Sequence, residues 1–403
     1  MTAASSMLPW RVPFVRPDLP TYDEVAPEIC AAFEAGSLTK GRYLVEFERA
    51  AARCAGTSDA VGVSSCTTGL MLVLRAVSHL RGRLESCPSI EMCPALPVRG
   101  GGSDLDEVIV PSFIFLAAPA AIVWAGLRPV FVDVDPATYT VDPVAVAAAV
   151  TPRTAAIIAC HTFGCPCDID RLAEVAERAK VPLVVDAAHG FGASRQGRHV
   201  GAGALAQVFS LSPTKLVVAG EGGIVATSCS CLAELIRVGR EYGNDGHYGC
   251  DSPGMNGRLP EVSAIIGRAS LERLPEVAGR RRAAAVAYQQ ELQGLDGVVF
   301  QRIPEDCESS WKDFCIAIDE RVTGVSRDAL SRALASKGID TRAYYSPACH
   351  QMRAFEACER RPGLLPTTDR LAASLLALPM GGHVTPAVAR DVAREVLAVI
   401  RAA

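Results

Sequence analysis

No stretch of about 18 apolar residues free of charge occurs in this 403-residue chain, so no transmembrane helix is expected. The first residues, MTAASSMLPWRVPF, lack a basic start followed by an apolar run, and are not expected to act as a secretory signal. Charge of one sign is not in excess either. Forty basic residues against 44 acidic ones give a formal charge of −4, which calls for neither nucleic acid nor a membrane surface as partner. Internal repeats are absent. The 15 cysteines include no CxxC pair, and Cys165 and Cys167 are too close together to form one, so no metal is expected. Disulfide frameworks belong to short secreted chains. Several cysteines here (Cys30, Cys54, Cys160, Cys315) lie in apolar runs, where a reduced thiol acts as a small hydrophobe. The expected compartment is the cytoplasm.

What remains is an ordinary globular composition, 49% hydrophobic and 21% charged, in a chain long enough for two domains. Residues 1–40 read as a proline-rich arm with an amphipathic entry helix, Tyr22 to Glu34. Residues 41–255 alternate helical stretches with short continuous apolar strands: EVIVP, RPVFVDVD, TAAIIACH, VPLVVDAAH, AQVFSL and GGIVATS. Such strands indicate a parallel or mixed sheet covered on both faces. One segment, 79–104, has no period and is loaded with Pro, Gly and Cys, which marks a loop insertion. Residues 256–403 turn to long helices with two strand candidates, Asp313 to Ile318 and Asp340 to Tyr345, and suit a smaller α+β domain.

Four signals share one edge of that sheet. The strand VVDAAHG ends in Asp186, at the carboxyl edge where open α/β folds bind ligands. A fixed carboxylate there can hold a proton on the ring nitrogen of pyridoxal 5′-phosphate (PLP). Alone, Asp186 would serve equally well to end the strand. In FSLSPTKLVVAGEGG, Lys215 is flanked by Ser, Pro and Thr and followed by apolar LVV, a setting that desolvates an amine and makes it nucleophilic. Ser210 and Thr214 stand near enough in sequence to bind phosphate or orient that lysine. In VSSCTTGLML a strand meets a helix through Ser-Cys-Thr-Thr-Gly, leaving free backbone N–H groups as a phosphate cradle. Finally PSFIF, after EVIVP, brings Phe113 or Phe115 to the same edge, where either can stack on a flat ring or pack in the core.

Together with GRYLVEFE, RPVFVDVD and GMNGRLPE, these motifs resemble the DegT/DnrJ/StrS-type PLP-dependent sugar aminotransferases, from about Gly36 to the end. The resemblance implies the aspartate-aminotransferase-like PLP-dependent transferase fold, α/β, with a large mostly parallel domain and a smaller C-terminal α+β domain. It implies a homodimeric enzyme moving an amino group from glutamate or glutamine to a keto-sugar nucleotide. By position, Lys215 matches the lysine that carries PLP, and Asp186 the partner of the pyridine nitrogen. His189 matches the residue at the ring hydroxyl, Phe115 the stacking aromatic, and Cys66, Thr67 and Ser210 the phosphate binders. Asn256 matches an asparagine serving the partner subunit's cofactor; Arg258 and His350 match substrate-side residues. Three features depart from the family pattern: Cys66 in place of glycine, His189 in place of the commoner Gln, and the 79–104 insertion. Lys215 argues against the dehydratase branch, in which histidine replaces it. The runner-up readings keep the fold but use a keto-cyclitol, a dehydration or an aromatisation; a non-catalytic PLP-fold binder stands behind them.

Overall fold

Val, Ile and Ala dominate the strands that form the centre of the chain. The computed structural model describes residues 10–79, 105–244, 246–247, 249–250 and 252–403. Five strands come first: β1 (Asp59–Val63), β2 (Glu107–Pro111), β3 (Arg128–Val132), β4 (Thr154–Cys160) and β5 (Leu183–Asp186). A two-residue hairpin, β6 (Ser194–Arg195) and β7 (Arg198–His199), precedes β8 (Ala206–Ser210) and β9 (Gly223–Thr227). The C-terminal part adds β10 (Val298–Phe300), β11 (Cys307–Glu308), β12 (Phe314–Ile318), β13 (Glu359–Arg360) and β14 (Leu375–Leu378).

The main sheet runs β1-β9-β8-β5-β4-β2-β3-β13. Its strands from β8 through β13 pair in parallel, and β9 alone is reversed, antiparallel to both β1 and β8. The carboxyl ends of β1, β2, β4, β5 and β8 therefore open on one edge. The fold is the expected α/β architecture with a mostly parallel sheet.

Alternation along each strand divides the core in two. Leu183 and Val185 of β5 point into one apolar cluster, and Val184 into another on the opposite face. Helices Arg42–Ala55, Ile169–Ala179 and Glu261–Glu272 cover the first face. Helices Cys66–His79 and Ala117–Trp124 cover the second. Burying one Leu or Ile in such a layer contributes about 1.5–3 kcal/mol, which is why the helices carry apolar stripes.

A third cluster holds the C-terminal part. Helices Leu274–Leu292 and Pro386–Arg401 pack with the antiparallel sheet β10-β12-β14, through Tyr288, Phe314, Leu376 and Val392 among others. The strand expected at Asp340 to Tyr345 does not form. Only isolated bridges occur there, Val12 with Ile339 and Arg342 with Ala377. The competing force is aromatic: Tyr344 and Tyr345 turn into a cluster with Phe14, Phe113 and Phe163, with ring centroids 5.3–6.2 Å apart. Of the expected 79–104 insertion, residues 80–104 lie outside the described residues; His79 closes its helix. Most described cysteines carry free thiols, as expected, but Cys231 is disulfide-bonded.

Candidate active site

The end of β5 carries Asp186, only 3% exposed. Its Oδ1 accepts the Ala188 N–H at 3.0 Å, and the Cys66 thiol lies 3.8 Å away. Burial pushes the carboxyl above its ordinary range, while the Ala188 N–H, the charge of Lys215 and the Cys66 thiol pull it down. Among the described residues this carboxylate makes no ion pair, a costly arrangement that a cationic ligand would relieve.

Beyond β8 the chain turns, with the Lys215 N–H donating to Ser212 O at 3.0 Å. Leu216, Val217 and Val218 are buried directly after it, and the Ser270 hydroxyl accepts from Val218 N at 2.9 Å. The lysine is thus held between a buried apolar run and the end of a strand. Burial and, next, the charge of Lys312 push the Lys215 amine down to about 8; Asp313 and Asp186 oppose this. An amine in that range is available as base and nucleophile near neutral pH.

The turn between β1 and helix Cys66–His79 supplies the third side. Ser65 Oγ accepts from Thr68 N at 3.0 Å, which closes the first helical turn. Strand β9 passes so close beneath that a Cβ at Gly223 would stand 2.6 Å from Cys66 N. Glycine is required there for the sheet and the turn to meet.

These three sides, with Phe115, enclose a cavity of about 380 Å³ lined by Cys66, Thr67, Asp186, His189, Ser210 and Lys215. That size lies within the roughly 300–1,000 Å³ of small-molecule sites. Phe115 is 54% exposed at the cavity, whereas Phe113 is fully buried, edge-on to Phe163 and Tyr345. The two phenylalanines of PSFIF are thereby told apart. His189 is buried, and its Nδ1 finds no partner among the described residues. Burial, followed by the charges of Lys215 and Lys312, keeps its ring neutral. The donor set fits a planar pyridine phosphate: an underpaired acid, an unpartnered imidazole nitrogen, a deprotonatable lysine and hydroxyls at a helix N-terminus.

Three expected residues stand apart from this cavity. Asn256 is exposed and bridges to Glu241, and Arg258 pairs with Glu241 Oε2 at 3.0 Å with its guanidinium over Tyr242. His350 is buried between Ser112 Oγ at 2.7 Å and Asp369 Oδ1 at 3.1 Å. Conversely, the cavity includes side chains that sequence reasoning missed: Glu221, Lys312, Asp313, Tyr344 and Tyr345. The one available signal was the charged pair Lys312-Asp313 opening an otherwise apolar strand.

A family model described as the DegT/DnrJ/EryC1/StrS aminotransferase family matches residues 21–397. The chain belongs to this family. It is accordingly an aminotransferase. A dTDP-3-amino-3,4,6-trideoxy-α-D-glucose transaminase from Streptomyces venezuelae is 35% identical over 380 residues, covering 93% of this chain and 92% of that one. The erythromycin biosynthesis sensory transduction protein EryC1 of Saccharopolyspora erythraea is 36% identical over 319 residues, 79% of this chain and 84% of its own. Among solved structures, DesI in the presence of its TDP-sugar product superposes with a TM-score of 0.86 at 35% identity, covering 98% of this chain and 95% of that chain. Streptomyces venezuelae DesV in complex with a ketimine intermediate gives 0.81 at 33% identity, with 96% and 99% covered.

Proposed function

We propose that this family member binds PLP in the Lys215 cavity and transfers an amino group from glutamate or glutamine to a keto-sugar nucleotide. It would do so as a cytoplasmic homodimer in secondary-metabolite or polysaccharide sugar biosynthesis. The observation that carries the reading is the meeting of Asp186 and Lys215 in one cavity. The sugar-nucleotide part is supported by the transaminase relative and by DesI, both tied by name to TDP- or dTDP-linked sugars.

When bound, the cofactor supplies a carbonyl for the amino group and a ring that withdraws electrons from the reacting carbon. Asp186 holds the proton on the ring nitrogen, and that cation in turn gives the buried carboxylate its missing partner. His189 faces the ring's polar substituent, and Phe115 covers the ring. The Cys66–Thr67 turn and Ser210 hold the phosphate through N–H and hydroxyl groups. Lys215, with its amine held near a pKa of 8, would serve as the base that takes the proton from the substrate's α-carbon and as the acid that returns it. Asn256 reaches the partner subunit's cofactor, and Arg258 and His350 serve the sugar end. A non-catalytic role, which the name of EryC1 brings to mind, fits poorly with a lysine held ready as a base.

The test is optical. Protein loaded with PLP should be yellow, bleach with glutamate, and recover when one of a panel of keto-sugar nucleotides is added. Recovery with keto-cyclitols alone would move the acceptor class; no bleaching with any amino donor would remove the transaminase reading.

A further inference from the structure

The segment Ser310–Asp313, ahead of β12, is fastened from several sides. Ser310 Oγ donates to His189 O at 2.7 Å, and Arg281 donates to Lys312 O at 2.9 Å and to Trp311 O at 3.3 Å. Trp311 takes a left-handed φ of 49°, a conformation that persists only where its surroundings hold it. These restraints place Lys312 and Asp313 in the wall of the Lys215 cavity. Both side chains are at least nine-tenths buried, and the Lys312 ammonium donates to Asp313 Oδ1 at 2.7 Å. An ammonium has three donors. Among the described residues Asp313 is its one hydrogen-bond partner, so two donors remain for a ligand.

The amino donor brings the matching group. Its amine must reach the position of Lys215, and its α-carboxylate sits on the same carbon, so the carboxylate is also carried into the cavity. A carboxylate desolvated there needs a cation. Lysines 215 and 312 are the cations of the cavity lining, and Lys215 is occupied with the chemistry.

We propose that Lys312, steadied by Asp313, is the anchor for the α-carboxylate of the amino donor. This rests on the transaminase reading above. The pair acts as a resident stand-in: Asp313 neutralises Lys312 in the empty site and shares it when the donor arrives.

The experiment uses PLP-loaded protein and two amines, L-glutamate and 4-aminobutyrate, which is glutamate without its α-carboxylate. Single-turnover bleaching gives an apparent dissociation constant and a limiting rate for each. Lys312→Met should weaken glutamate by about 10- to 100-fold, the worth of a charge-assisted bond, and leave 4-aminobutyrate within about threefold. Lys312→Arg should restore most of the glutamate affinity. Because Lys312→Met strands Asp313, the double variant Lys312→Met/Asp313→Asn is measured alongside and should show the same selective loss. Calorimetry with glutarate, which carries carboxylates and no amine, gives a readout independent of turnover and should show weakened binding. Equal losses for both amines, or none for either, would overturn the assignment. Failure of wild type to take up PLP or to bleach would instead overturn the functional reading beneath it.

Discussion

The Cys66 thiol and the Asp186 carboxylate, 120 positions apart, lie 3.8 Å from each other and face a cavity that neither could form alone. In the free protein Asp186 has the thiol and one N–H for company, and burial holds its pKa up. A carboxyl whose folded pKa is raised destabilises the fold once ionised. The penalty is absent below the unfolded pKa, grows as pH climbs toward the folded value, and is full above it. Asp186→Asn in PLP-free protein should therefore raise Tm by about 2 °C at neutral pH, with the gain shrinking toward pH 4.5. With PLP present the same variant should lose about 100-fold or more in turnover. A variant less stable than wild type at pH 7, or one with near-normal turnover, would show that another group serves as the acid.

The two phenylalanines of PSFIF should respond differently. Phe113→Ala removes a fully buried ring and should cost about 3–5 kcal/mol in chemical denaturation. Phe115→Ala removes a half-exposed ring and should change stability by less than about 1 kcal/mol. Its effect should fall on PLP affinity, weakened about 3- to 10-fold in a fluorescence titration. The reverse pattern would exchange their roles.

Much of this site could be read in order along the chain, because a parallel sheet delivers residues from consecutive strand ends to one edge. Asp186 ends β5, Lys215 follows β8, and the Ser65–Thr67 turn follows β1; each is announced by local punctuation. Lys312 and Tyr345 are different. They enter from the C-terminal part across a long sequence separation, and their placement depends on Arg281, Ser310 and the aromatic packing around Phe163. The strand expected at Asp340 to Tyr345 fails to form for the same reason. There Tyr345 is buried, and Tyr344 half-buried, in an aromatic cluster, and that packing outweighed ladder formation.

Asn256 and Arg258 stand outside the cavity of their own chain, and in the proposed homodimer Asn256 would serve the partner subunit's site. Lys215→Ala and Asn256→Asp homodimers should each be nearly inactive. In a mixed dimer one site carries both lesions and the other neither. Random co-expression makes about half the dimers mixed, so about a quarter of all sites should recover activity. Mixed dimers, verified by differential tags, that show no recovery would return Asn256 to its own subunit's site or remove it from the cofactor altogether.

The most direct test of the whole account is covalent. PLP-loaded wild type is treated with borohydride, digested, and the modified lysine located by mass spectrometry. The label should fall on the peptide bearing Lys215, whose amine is held near a pKa of 8. Lys215→Ala should take no label while still binding PLP, since each charge-assisted phosphate bond contributes about 1.5–3 kcal/mol. Label on Lys312 or any other lysine in wild type would contradict the site described here.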